Sequence, residues 1–204
     1  LPISILPCSE IRSIFSKHFA GRENWCLQQF LKFYSVANSK TEYAIVIDAD
    51  TLLLNSRPWI METNNAKILS LIPTFEYQNQ YYEVLRGIGV PLARPAFSFV
   101  PHHMFYDVQL FRQMISDMNL QSSIEFAKQV ESLSDKRTHA PFCIDYELYA
   151  QYLVKMYPSK VQYLKWSNLS MRRTLYLRYF NRNWMNSLIS VFFNSVSLHS
   201  WSNR

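Results

Sequence analysis

One hydrophobic run constrains the fold of this chain more than any other feature. Residues 43–54 read YAIVIDADTLLL, so aliphatic and β-branched residues surround two aspartates that are separated by one alanine. An apolar run without polar alternation is typical of a parallel strand that helices cover on both faces. The run therefore predicts an α/β fold in which this segment is a central strand.

Asp48 and Asp50 follow the first half of this run, where open α/β sheets usually bind their ligands. Alternate residues of a strand point to the same side, so the two carboxylates can face one divalent cation such as Mg²⁺ or Mn²⁺. The alternative is a solvated turn in which Asp50 caps the segment that follows. Both interpretations stay open at this point.

Composition indicates a single domain over residues 1–204. The chain is 49% hydrophobic and 16% aromatic, which is enough to bury a sizeable core. Only three glycines and 18% charged residues argue against linkers and low-complexity segments. The first residues, LPISILP, lack an initiator methionine. We therefore expect the chain to be a fragment of a longer protein. We also expect a strand over residues 3–6.

The net charge of +6 permits an anionic partner. That partner could be a nucleic acid, a phosphate-bearing substrate or an acidic membrane surface, and a basic solvated face is an equally good explanation. Much of the excess lies late in the chain, in Lys155, Lys160, Lys165, Arg172, Arg173, Arg178 and Arg182.

Cysteine usage and hydropathy predict the compartment. Cys8, Cys26 and Cys143 are odd in number and lack the spacing of a zinc site, which favours a reducing environment. No run is as long as a membrane span, and the first residues do not resemble a signal peptide. We expect a cytoplasmic protein that is able to associate with the inner face of a membrane.

Residues 25–37 show the clearest helical periodicity. The core-facing stripe of this helix is formed by Leu27, Phe30, Leu31 and Tyr34. A second stripe with the same spacing consists of Trp25, Gln28, Gln29 and Lys32. These amide and ammonium groups beside a tryptophan could line a pocket, or they could be ordinary residues of the helix surface.

The middle of the chain predicts two further strands and a histidine pair. Strands are expected over residues 67–72 and 96–100, with an aromatic loop or short helix over 74–95 between them. His102 and His103 follow Pro101, and a helix starts at Asp107. The histidines could bind a metal, position a sugar or phosphate, or satisfy loop carbonyls.

The last third predicts helices over residues 122–133 and 142–156, one helix or a helical pair over 172–189, and strands over 161–164 and 191–198. Asp145 and Glu147 lie in the first turn of the second of these helices. Carboxylates there compensate the helix dipole, and one near a pocket could also accept a substrate proton. His199 follows the last strand.

Taken in order, five motifs resemble those of GT-A-fold glycosyltransferases that use nucleotide-sugar donors, most closely bacterial enzymes of polysaccharide or lipopolysaccharide assembly. The motifs are WCLQQFLK at 25–32, DAD at 48–50, PHHM at 101–104, DYELY at 145–149 and SLHSW at 197–201. The resemblance implies a GT-A-like, mostly parallel mixed sheet flanked by helices.

The resemblance also implies a mechanism. A divalent metal, Mn²⁺ or Mg²⁺, is expected on Asp48, Asp50 and His199, where it holds the diphosphate of the donor. The partners are then a nucleotide-sugar donor and a glycan or glycolipid acceptor, with no nucleic acid expected. His102, His103, Asp145 and Glu147 would face the acceptor or the transferred sugar.

Glu147 is the expected acceptor-activating base, and Asp145 is its helix-end support. Glu147 has the longer side chain and shares its side of the helix with small residues, while the neighbouring Tyr146 is able to stack on or hydrogen-bond a sugar.

One departure from the family pattern leaves alternatives open. The region before Trp25 is too short for all the nucleoside-binding strands of a GT-A fold. The chain is therefore expected to be truncated or reduced. Two competing functions stay open. One is a non-catalytic binding module derived from the same fold, and the other is a metal-dependent nuclease or nucleic-acid binder.

Overall fold

The computed structural model describes residues 6–63, 66–74, 79–92, 98–138, 140–180 and 182–199, and these residues have a mixed α/β architecture. The described helices, α1 to α8, are Cys8–Ser16, Glu23–Ala37, Asn79–Ile88, Val108–Asp117, Ser123–Leu133, Glu147–Met156, Arg173–Leu175 and Asn183–Ser190. A 3-10 turn at Pro158–Lys160 and a π-helical turn at Tyr176–Phe180 complete the helical segments.

The described strands pair in three small sheets. Strands β1 to β8 are Tyr43–Ile47, Thr51–Leu53, Ile60–Glu62, Lys67–Leu71, His103–Asp107, Val161–Tyr163, Asn168–Arg172 and Ser195–His199. One sheet pairs β1 with β5, the second has the order β2-β8-β7, and the third has the order β3-β4-β6. Among the strands of the described ranges, only β4 with β6 and β7 with β8 are parallel pairs.

The direction of these pairs corrects the predicted sheet. Strand β1 pairs with β5 in antiparallel register, and Ile45 and Ile47 remain 43% and 40% exposed. A strand with half-open apolar side chains is not the fully covered central parallel strand that the sequence predicts. The sheets are mixed, but among the described strands they are not mostly parallel. The predicted run 43–54 is also divided, because β1 ends at Ile47 and β2 begins at Thr51.

Helix α2 lies at the centre of the main core. Phe30 and Phe33 are buried and contact the aromatic rings of neighbouring elements, including Phe126 of α5 and Phe142. Aromatic pairs with centroids 4.5–7 Å apart add to the stabilisation that burial provides. The prediction for this helix is confirmed, with one correction, since Leu31 is 41% exposed instead of facing the core.

Local signals account for several helix boundaries. The Asp107 carboxylate accepts a hydrogen bond from the Leu110 backbone at 2.9 Å, which caps α4 as predicted. The Ser122 hydroxyl caps α5 in the same way. A Cβ atom at Gly87 of α3 would lie 2.5 Å from the end of the Leu133 side chain of α5, so this leucine would have to move to admit a side chain there. A glycine at this point therefore lets α3 approach α5 closely.

Other predictions fail at boundaries. The predicted strand over 96–100 lies partly outside the described residues, and its described part contributes only a bridge from Ser98 to Thr74. The regular strand in this region is β5, which begins at His103. The helix expected over 142–156 begins at Glu147, so Asp145 precedes it. The expected strand over 3–6 falls mostly outside the described residues.

The buried residues form two hydrophobic clusters. The large one packs α1 to α6 against β1, β4 and β5, and the small one centres on Tyr176, Ile189 and Val196 of the last third of the chain. The Asp48–Asp50 turn joins β1, which packs on the large cluster, to β2 and Leu54, which lie beside the small one. None of the helices in the described ranges has the length and apolarity to cross a membrane.

Candidate functional site

The turn over residues 48–50 is held from both sides by backbone hydrogen bonds. The Asp48 amide donates to the His102 carbonyl at 2.9 Å, and the Asp50 carbonyl accepts from the Leu198 amide at 2.7 Å. These bonds continue the pairing of β1 with β5 and of β2 with β8. Because His102 precedes β5 and His199 ends β8, sheet pairing brings both histidines to the two aspartates.

Asp48 accepts hydrogen bonds at both of its oxygens. The Tyr146 hydroxyl donates to Oδ1 at 2.7 Å, the Lys32 ammonium contacts the same oxygen, and Nδ1 of His102 lies 3.3 Å from Oδ2. Burial acts to raise the pKa of Asp48, but the hydrogen bond from His102 and the charge of Lys32 outweigh it and lower the pKa to about 2. Asp48 is therefore a fixed negative charge near neutral pH.

Lys32 lies between two carboxylates. Its ammonium contacts Asp48, donates to Oδ2 of Asp145 at 2.9 Å and sits 4.7 Å from the centre of the Tyr146 ring. Burial acts to lower the pKa of Lys32, yet the attraction of Asp145 and Asp48 outweighs it, so the pKa lies above the ordinary value. The ammonium thus compensates two charges that would otherwise repel each other.

Asp50 and His199 form a second, more open pair. Nδ1 of His199 lies 3.6 Å from Oδ2 of Asp50, whose side chain is 43% exposed. The rings of His199 and His102 are 5.5 Å apart. Two aspartates and two histidines from four separate positions in the chain therefore line one continuous polar surface.

The two adjacent histidines have different environments. His102 has a backbone φ of +66°, an uncommon conformation for a side-chain-bearing residue, and its ring is 28% exposed beside Asp48. His103 is fully buried between Trp59 and Trp166, and burial lowers its pKa to about 4. His102 faces the site, whereas His103 is a neutral residue of the interior.

The two predicted catalytic carboxylates are both buried. Glu147 accepts hydrogen bonds from the Ser98 hydroxyl and the Phe99 amide at one oxygen, and from Gln151 and Tyr82 at the other. Burial raises the pKa of Glu147 above its ordinary value. With both oxygens already engaged inside the protein, Glu147 has none left for an acceptor hydroxyl, so the structure places it away from an open pocket.

Asp145, not Glu147, points toward the aspartate turn. Besides contacting Lys32 it accepts from the Cys143 thiol at 3.3 Å, and its own carbonyl accepts a hydrogen bond from the Tyr106 hydroxyl. Its side chain is only 4% exposed. Asp145 is consequently placed to orient Lys32 and not to contact a substrate directly.

Of the predicted pocket stripe of α2, only Lys32 reaches the aspartates. Gln29 is buried, donates to the Phe142 carbonyl at 3.3 Å and accepts from the Ile144 amide at 2.9 Å, so it fixes the segment that carries Asp145. Trp25 packs on Phe142. Gln28 is exposed on the helix surface.

A cleft of about 490 Å³ opens beside Asp50. Its wall includes Asp50 and Leu52 on one side and Arg173, Leu177 and Asn186 from the C-terminal helical segment on the other. This volume is in the range of small-molecule sites. An arginine and a carboxylate in one cleft suit an anionic ligand that carries a divalent cation.

The residues offer metal ligands without forming a complete metal site by themselves. No three histidine, cysteine, aspartate or glutamate side chains in the described parts of the chain are close enough together to hold an ion. Asp48 already has the Lys32 ammonium as its cation. Asp50 and His199 nevertheless supply an oxygen and a nitrogen donor of the kind Mn²⁺ accepts, and such ions commonly take their other ligands from substrate phosphates and water.

Comparisons with known proteins add no identity to this geometry. A scan against protein-family models gives no match, and a search of curated proteins finds no significant relative. The geometry of the site is therefore the observation that bears on the function of the chain.

Sequence reasoning missed two parts of this site. It treated Arg173 only as one of several late cations, although Arg173 lines the cleft. It also did not anticipate that Lys32 bridges Asp48 and Asp145. The helical spacing that put Lys32 on a polar stripe was the available signal, since a lysine on a half-buried stripe requires an acidic partner.

Proposed function

We propose that this chain is a glycosyltransferase domain that transfers a sugar from a nucleoside-diphosphate-sugar donor to a hydroxyl group of a glycan or glycolipid. The observation that carries the proposal is that Asp48, Asp50, His102 and His199 lie close together, and that Asp50 also lines a cleft that contains Arg173. Those acidic residues and the late histidine are the ones that the motif resemblance implies.

The diphosphate of the donor is assigned to the cleft. Arg173 would pair with phosphate oxygens, since a guanidinium binds phosphate through paired hydrogen bonds. Asp50 and His199 would hold a divalent cation, Mn²⁺ or Mg²⁺, which neutralises charge on the leaving diphosphate. Asp48 would then contribute negative charge without binding the cation, because Lys32 and Tyr146 occupy one of its oxygens.

His102 is our candidate for the acceptor base in place of Glu147. Because the carboxylate of Asp48 is ionised near neutral pH, it accepts a hydrogen bond from Nδ1 of His102, and the tautomer of neutral His102 that makes this bond carries its lone pair on Nε2. In a direct displacement, the acceptor hydroxyl would lose its proton to Nε2 while its oxygen bonds to the anomeric carbon and the bond to the diphosphate breaks. Asp48 would stabilise the resulting imidazolium.

Donor binding tests the proposed site. We expect uridine or guanosine diphosphate to bind more tightly with Mn²⁺ than with a chelator in isothermal titration calorimetry. Asp50→Ala should remove this metal-dependent gain, with an affinity loss of about tenfold or more, which corresponds to about 1.4 kcal/mol. Glu125→Ala, which removes an exposed carboxylate on α5, is the matched control and should bind normally.

Two results would overturn the proposed site. One is equal binding of both nucleotides with and without metal, and the other is unchanged binding by the Asp50 variant. Metal-dependent binding without transfer to any acceptor would instead favour a binding module. A steep fall of polynucleotide affinity with salt would favour a nucleic-acid binder.

Turnover tests the role of His102. His102→Gln should lower the rate of sugar transfer by about 10²-fold or more while donor binding stays intact. The control is His18→Gln, which removes a partly exposed imidazole that pairs with Glu131. This substitution should not change the rate of sugar transfer. Equal rates for wild type and His102→Gln would exclude this histidine as the base.

A further inference from the structure

The end of the described chain exposes an unusual amount of apolar surface. Four side chains in and just after α8 are more than half exposed, at 62%, 53%, 72% and 70% for Trp184, Leu188, Val191 and Phe192. Contiguous exposed apolar residues of this size mark a surface that binds something. We call these four residues the apolar surface.

The apolar surface is the outer face of a helix whose inner face is already packed. Ile189 is buried in the small hydrophobic cluster, and Asn186 accepts a hydrogen bond from Tyr176 at 2.8 Å. Trp184, Leu188 and Val191 follow the i, i+4, i+7 spacing of the opposite face. A helix in contact with water would present polar residues at these positions, so the outer face is suited to a second apolar environment.

Positive charge surrounds the apolar surface. Residues 148–204 contain eight of the 21 lysines and arginines and none of the 15 aspartates and glutamates. Arg57 and Lys165 line a second cleft of about 420 Å³ together with Val191 and Phe192. Arg178 and Arg182 are exposed just before α8. The partner must therefore combine apolar groups with negative charge.

We propose that the apolar surface and its rim of Arg57, Lys165 and Arg182 dock the protein on a lipid bilayer that contains anionic headgroups. Aromatic and aliphatic side chains enter the boundary between headgroups and acyl chains, while arginine and lysine contact the lipid phosphates. A second copy of the chain is a poor occupant, because a two-fold contact would set this cationic rim against itself.

Vesicle flotation tests the docking without any sugar donor, so its outcome is independent of the proposed enzymatic function. The wild-type protein should float with vesicles of phosphatidylcholine mixed with phosphatidylglycerol, and much less with phosphatidylcholine alone. Added salt should weaken the binding, since it screens exposed charges.

Two pairs of variants separate the apolar and the electrostatic contributions. Trp184→Ser with Phe192→Ser should lower anionic-vesicle binding at least about tenfold. The control is Met61→Ser with Met156→Ser, which removes apolar side chains that are 42% and 50% exposed elsewhere. The electrostatic variant is Arg57→Ala with Lys165→Ala, which should lower binding roughly 30-fold. Its control is Arg86→Ala with Lys128→Ala, which removes the same charge elsewhere and should leave binding unchanged. Thermal melts check that each variant is folded.

Three outcomes would overturn the proposal. Failure of the wild type to float with anionic vesicles is the first. Equal losses in the surface variants and their controls are the second. The third is a dimer in light scattering that Trp184→Ser with Phe192→Ser dissociates, which would assign the apolar surface to contact between copies.

Discussion

Lys32 holds together the charged half of the candidate site. Its ammonium lies between Asp48 and Asp145, and the side chains of all three residues are less than a fifth exposed. Removing one partner of a buried charge network leaves the remaining charges uncompensated. This destabilises the fold more than replacing the whole network by apolar residues does. The lysine thus provides the positive charge that both carboxylates contact, and it helps to lower the pKa of Asp48.

Lys32→Met should lower the free energy of unfolding by about 3–5 kcal/mol at neutral pH. In the wild type the depressed pKa of Asp48 stabilises the fold above the ordinary value of 3.8, and this contribution is lost as the pH falls toward about 2. Without Lys32 the depression is smaller, although the hydrogen bonds from His102 and Tyr146 remain, so the difference between variant and wild type should shrink as the pH is lowered from 7 to 3. Urea unfolding at several pH values measures it.

Lys67→Met is the matched control for this prediction. Lys67 also forms an ion pair, with Glu42 at 2.8 Å, but both side chains are about half exposed or more. Solvent screens exposed ion pairs and they contribute little to stability, so this loss should be small. Equal losses in the two lysine variants would contradict the role assigned to Lys32.

The first turn of α6 is fixed to the rest of the protein by Glu147. This carboxylate joins the helix to the Ser98–Phe99 segment and to Tyr82 of α3, elements that are far apart in sequence. The same turn follows directly from Tyr146, whose hydroxyl reaches Asp48. An anchor inside the helix therefore helps to position a residue of the site at its start.

Glu147→Gln should destabilise the protein by about 1–3 kcal/mol, because an amide nitrogen would face hydrogen-bond donors in a buried place. Urea unfolding measures the loss, and Glu125→Gln in the exposed first turn of α5 should show almost none. A Glu147→Gln protein with normal stability and a large loss of turnover would restore Glu147 as the acceptor base.

At the scale of the whole molecule, the point in the chain where acidic residues end lies close to the point where the small hydrophobic cluster takes over from the large one. All acidic residues lie in residues 1–147, while the small hydrophobic cluster and the apolar surface belong mainly to the cationic remainder. The cleft at Asp50 lies where the two parts meet, since Leu177 and Asn186 line it from the cationic side. If the protein docks on a bilayer as proposed, α8 lies between the lipid and the cleft, because Asn186 lines the cleft from the inner face of this helix. A separation of about 10 Å, the diameter of one helix, is compatible with a glycolipid acceptor. This last step rests on the proposed transferase function.

Local sequence signals determined much of the secondary structure. Helical periodicity predicted α2, Asp107 predicted the start of α4, and the helix predicted over residues 122–133 agrees with α5 to within one residue. These signals act within a few residues, through side-chain spacing and hydrogen bonds to nearby amides. The position of the Asp48–Asp50 turn directly after a strand was predictable for the same reason.

Only the tertiary structure decided how these elements combine. Continuous apolarity in residues 43–47 did not reveal that β1 pairs with β5 in antiparallel direction, because strand direction depends on a partner about 60 residues away. It also did not reveal that Glu147 is enclosed and that Lys32 faces Asp145 across 113 positions of sequence. The sequence by itself determined which chemical groups the chain carries and which local elements bear them. Long-range packing decided which of those groups meet, because burial and charge compensation depend on neighbours that no local pattern specifies.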